Sequence, residues 1–71
     1  MTEAMKLAAS ASSRDPAVGL RAVASLRQLL DGLERVQVAN ARDCGWSWEK
    51  IAAQLGVTKQ AVHKKHRKEV P

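Results

Sequence analysis

Lys59, Gln60, His63, Lys64 and Arg67 recur at alternating steps of one and three, a spacing that lines side chains along one face of a helix. Together they would make a surface that reads a polyanion. Glutamine can pair bidentately with adenine, and lysine or arginine with guanine, each good pair being worth ~1–3 kcal/mol of discrimination. Flanking lysines, with Ser47 and Trp48 upstream, suit phosphate contacts, which position a protein without specifying sequence. The charge distribution agrees. Residues 49–71 hold six bases against two acids, so +4 of the net +5 lies there, and such a localised stripe fits a nucleic-acid partner.

Other chemistries find less support in the residues. There is no carboxylate pair, no nucleophile–base pair and no glycine-rich phosphate loop, and 71 residues leave no room for a sizeable pocket. An enzyme is therefore not expected, and neither is a cofactor. Cys44, His63 and His66 are the only conceivable metal set, but a fourth ligand is missing and bases crowd the histidines. Trp46 reads as core, and Trp48 as half-exposed beside a phosphate. RNA binding draws on the same charge, but the basic face lacks the exposed aromatics that stack on bases. A protein–protein adaptor gripping an acidic partner is the other alternative.

Two short helices must position these residues. Ser47 is a good N-cap, with Trp46 before it and Ile51 four residues into the helix forming a hydrophobic staple. Ile51, Ala52 and Leu55 form the inward face of this helix, and a side chain larger than Ala52 would wedge the two helices apart. Gly56 supplies the left-handed conformation that turns the chain. Val57 is expected to plug the corner, Thr58 to cap the second helix, and Val62 to anchor it inward. A corner this tight can push its second helix into a DNA major groove.

Upstream, residues 1–14 read as a flexible tail with a frayed helical turn from Thr2, since 8–13 are small and polar with nothing to bury. Asp15-Pro16 is a helix start, an N-cap acid followed by proline at the first helical position, and Gly45 is the stop. One long helix is expected over 15–44, although Gly19 and Gly32 each weaken it by ~1 kcal/mol relative to alanine. Val38, Ala41 and Leu33 can cover the helical corner of 45–71. The stripe of Val23, Leu26, Leu29, Leu30 and Leu33 extends past anything the corner can reach, and an uncovered apolar stripe marks an interface. A homodimer seam is the favoured use, with the competing reading folding the stripe under the tail.

The string Gly45-Trp46-Ser47-Trp48-Glu49-Lys50-Ile51-Ala52-Ala53-Gln54-Leu55-Gly56-Val57-Thr58-Lys59-Gln60-Ala61-Val62-His63 resembles the helix-turn-helix of region 4 of bacterial sigma factors and related small bacterial regulators. Residues 33–42 resemble short actinobacterial-type proteins of that kind. The resemblance covers about residues 33–66. It implies an all-α fold, a long helix followed by a three-helix, homeodomain-like arrangement, and base-facing roles for Thr58, Lys59, Gln60, His63, Lys64 and Arg67. His66 departs from it, standing where relatives often place an aromatic or aliphatic residue. Either the second helix frays there or the ring packs. Nothing else of a sigma factor is present, so a polymerase subunit is not implied.

Size bounds the rest. Apolar content is 45%, much of it alanine, with tryptophans at 46 and 48 as the only aromatics, so the core must be thin and a partner subunit is a natural support. Cys44 is the only cysteine; it reads as a small buried or half-buried residue in a reducing cytosol. No run approaches the ~20 apolar residues that span a bilayer. The first residues carry an early acid and no sustained apolar stretch, so no signal peptide is expected. The sequence thus points to a cytoplasmic, homodimeric regulator binding double-stranded DNA, with a protein partner as a further possibility and no membrane contact.

Overall fold

The computed structural model describes residues 2–69. Among them are four α-helices and no strand: α1 Glu3–Ala11, α2 Pro16–Asp43, α3 Trp48–Leu55 and α4 Lys59–His66. None is long and apolar enough to cross a membrane. Internal contacts divide the chain into two compact units between Leu33 and Glu34.

In the first unit the structure differs from the expected tail. Residues 3–11 form a helix because an alanine-rich run has high intrinsic propensity and Thr2 caps it, its Oγ1 accepting from the Met5 N–H at 3.2 Å. No residue of α1 is buried. Asp15 starts α2 as its sequence suggests, with Oδ1 accepting from the Ala17 N–H at 3.0 Å. Ala22 and Gly19 are the buried residues of this unit. A Cβ on Gly19 would meet the Ser13 and Ala11 carbonyl oxygens at 3.5 and 3.7 Å, which is how the chain entering α2 lies over it. Val23, Leu26 and Leu29 are half-buried, whereas Leu30 is 62% and Leu33 54% exposed. Leu33, also considered a lid residue, is thus more than half exposed.

The second unit carries the helical corner. Its core is Val38, Ile51, Ala52 and Val62, with Ala39, Ala41, Trp46 and Trp48 packed against it. The end of α2 is a left-handed turn at Gly45 (φ 81°). There the Trp46 N–H bonds the Ala41 carbonyl and the Gly45 N–H bonds the Arg42 carbonyl, both at 2.9 Å, a Schellman arrangement that satisfies two orphan carbonyls. Cys44, just before that turn, is exposed rather than half-buried, because the chain leaves the core at the helix end.

Two inward assignments in the corner fail. Val57 is 48% exposed. The corner is closed instead by backbone, the Val57 N–H donating to the Ala52 carbonyl at 3.1 Å across left-handed Gly56 (φ 70°). Leu55 is 40% exposed. As the last residue of α3 it lines an open apolar groove of about 410 Å³ with Val38, Ala41, Trp46 and Ile51. Ile51, Ala52 and Val62 are buried as the pattern requires.

Two glycine-to-alanine changes should have opposite signs. At Gly32, inside α2, a Cβ meets nothing within 4 Å, so Gly32→Ala should stabilise by ~0.5–1 kcal/mol through helix propensity. At Gly56 there is also open space, but the positive φ strains any L side chain, and Gly56→Ala should cost ~1–2 kcal/mol. Urea unfolding of both variants against the parent chain measures the difference.

Candidate nucleic-acid interface

α4 is eight residues long, too short to hold its own shape in water. Its rotation is therefore set by what it buries. Val62 and His66 are its buried residues, one turn apart, and they fix the opposite face outward. Lys59, Gln60, Lys64 and Arg67 lie exposed and His63 half-buried. The sequence places these five on one helical face, and the structure leaves that face open.

Both helix starts are built by the expected caps. Ser47 Oγ accepts from the Lys50 N–H and Thr58 Oγ1 from the Ala61 N–H, each at 3.1 Å. These hydroxyls are thus engaged in capping, while Ser47 and Thr58 themselves remain exposed. Trp48 is half-buried and sits edge-on to His63, ring centroids 5.2 Å apart at 74°. The two candidate residues form one aromatic contact between the start of α3 and the middle of α4.

Four charged residues outside the candidate set named from the sequence shape this surface. Arg42 donates from Nη1 to the Trp46 carbonyl at 2.7 Å and lays its guanidinium 4.8 Å from the centre of the Trp48 ring, so it braces the turn and the aromatic pair together. Glu49 Oε1 holds the Lys59 ammonium at 2.9 Å. The Lys59 hydrogen bond, with help from a backbone N–H, keeps the Glu49 carboxyl below the usual carboxylate value. Glu34 accepts from both Lys65 Nζ at 2.9 Å and His66 Nε2 at 2.7 Å. Lys50 adds a cation over Trp46, 4.0 Å from the ring centre.

His66 resolves the choice left by the sequence. The helix does not fray there; the ring packs, with 2% of the residue exposed. Because an ionised carboxylate can only accept, Nε2 carries the proton in this contact. Nδ1 is buried with no hydrogen-bond partner among the described residues. A further ion pair, Arg35 to Glu69 at 3.0 Å, lies beyond the end of α4. Cys44, His63 and His66 do not converge, since His63 meets Trp48 and His66 meets Glu34. Among the described residues no group of three or more His, Cys, Asp or Glu could hold a metal ion.

The contact separates helix from helix in sequence by 32 residues, so no local pattern could have announced it. Arg42 was closer to legible, since it stands four residues before Trp46.

Glu34 gives an acid-sensitive term with a definite sign. Its carboxyl is lowered from 4.5, first by the Lys65 hydrogen bond and then by His66, against desolvation that raises it. A depressed folded value means stability that is present above the unfolded pKa and lost as pH falls through the folded one. The stability advantage of the parent chain over Glu34→Gln should therefore be full above about pH 4.5 and shrink below it. Thermal unfolding of both chains across that range tests this; a constant difference would remove Glu34 from the account.

A family model described as a homeodomain-like domain matches residues 29–69, more than half of the chain. The match supports a helix-turn-helix DNA-binding protein, and domains of this kind are typically binding modules rather than enzymes. No curated protein and no solved structure matches the chain.

Proposed function

Because the chain belongs to the homeodomain-like domain family, we propose that it is a sequence-specific regulator of transcription that binds double-stranded DNA as a homodimer in the bacterial cytoplasm. The observation that carries the reading is the outward face of α4, where Lys59, Gln60, His63, Lys64 and Arg67 stand unburied on a helix whose rotation is fixed from behind. Gln60 and Lys64, at the middle of that face, are the proposed base readers, with Thr58 at its start. Lys59, Arg67, Ser47 and Trp48 are proposed to position the duplex through its phosphates. His63 is held against Trp48 and would approach the groove with its ring orientation already limited.

The dimer reading rests on Val23, Leu26, Leu29, Leu30 and Leu33. Leucines 62% and 54% exposed on one helix stripe are a surface that a second copy would cover. Two copies of α4 about one helical turn of DNA apart (~34 Å) would then meet a two-fold symmetric site.

Selection of bound sequences from random duplex DNA should return a short palindrome. The Lys59→Ala/Gln60→Ala/Lys64→Ala variant, all three sites exposed, should keep its circular dichroism spectrum and lose at least about tenfold in duplex affinity. Undiminished affinity would refute the α4 face. Light scattering addresses the seam separately. The parent chain should be dimeric at micromolar concentration and Leu30→Glu/Leu33→Glu monomeric; a folded parent monomer would end the dimer reading, and damage to a protein partner's binding with DNA affinity unchanged would favour the adaptor.

A further inference from the structure

We propose that Glu49 is a specificity-determining residue: its carboxylate occupies the Lys59 ammonium, withholding one charge from phosphate and so weakening binding to DNA of the wrong sequence. The inference rests on the duplex-binding reading above.

Glu49 is the single acid in residues 46–68, against six bases. It does not sit at random among them. It lies in the first turn of α3, where the helix dipole favours an anion, and it reaches Lys59, the first residue of α4, where the dipole disfavours a cation. The 2.9 Å pair therefore relieves Lys59 of an unfavourable position. Its side chains are 55% and 64% exposed, and pairs this open contribute little to stability. The pair's effect falls on whatever approaches the surface.

A phosphate that takes Lys59 must first break the pair and leave Glu49 facing a polyanion. Both costs are independent of base sequence, so they apply to every duplex. The carboxylate can recover them only where the DNA offers it a donor, and among base edges in the major groove the cytosine amino group is one that a glutamate accepts from. Selectivity is the difference between those two cases. One acid set among six bases thus subtracts from the general attraction while leaving the readers Gln60 and Lys64 untouched.

The test compares the parent, Glu49→Gln, Lys59→Gln and the joint variant. Each is titrated with a selected duplex and with mixed-sequence duplex over a range of salt. Glu49→Gln should bind mixed-sequence DNA several-fold more tightly and gain less on the selected site, so the ratio of the two affinities falls. Its log–log salt slope should steepen by up to about 0.9, the release of one further counterion. In the Lys59→Gln background the same change should leave the slope unaltered, which a general loss of negative charge would not do. An equal gain on both duplexes, or an unchanged slope, overturns this inference while the DNA-binding reading stands. Absence of duplex binding by the parent chain overturns both.

Discussion

The end of α4 is tied by a hydrogen bond between two titratable side chains, His66 and Glu34, 2.7 Å apart and 32 residues apart in sequence. The other buried contact of that helix is Val62, and burying a valine fully is worth ~1.5–3 kcal/mol. One such anchor leaves an eight-residue helix free to rock about it. The second, one turn further on, removes that freedom. Since positions 62 and 66 both point inward, the directions of 59, 60, 63, 64 and 67 follow from the geometry of the helix. The whole candidate face is oriented from behind by these two residues, and a change at either would move every side chain on it.

A polar tie has a cost that an apolar one would not. Histidine in this place buries a nitrogen without a hydrogen-bond partner among the described residues, and a buried unsatisfied group costs ~1–3 kcal/mol. What it offers in exchange is direction. The Glu34 carboxylate also accepts from Lys65, so one acid fixes two successive residues of α4 and sets its register against α2 more narrowly than a leucine could. Glu34 at one end of the helix and Glu49 at the other each hold a lysine. The stretch between them, Gln60, His63 and Lys64, is the part of the face that neither acid touches.

What could be read in the sequence was local. Asp15, Gly45, Ser47, Gly56 and Thr58 act on backbone groups within a few residues of themselves, and each stands in its expected role because capping depends on little else. Ile51, Ala52 and Val62 were legible from helical periodicity. Val57 and Leu55 were not, because periodicity gives the side of a helix and says nothing of whether another element arrives to cover it. At Val57 a backbone hydrogen bond closes the corner, and at Leu55 the opposing surface is a groove. The α1 helix, expected as no more than a frayed turn from Thr2, runs over Glu3–Ala11, and the shortfall has a different reason. Its alanines and Thr2 cap favour a helix, but the stripe it offers, Ala4, Leu7, Ala8 and Ala11, is made mostly of alanine and none of it is buried, so burial gives the segment little weight.

The thin core and the open stripe are linked by the same scarcity of large apolar side chains. Among the described residues of the unit that ends at Leu33, Ala22 is the only buried hydrophobic side chain, and a single alanine cannot offset the entropy of ordering some thirty residues, each costing about 1–2 kcal/mol for its backbone. Helix hydrogen bonds and α1 supply part of the difference. The larger side chains that could supply the rest, Leu30 and Leu33, face solvent. A second copy laid along the stripe would bury those leucines without adding any residue to the chain. It would also provide what a short reading helix lacks on its own, a fixed distance to another one.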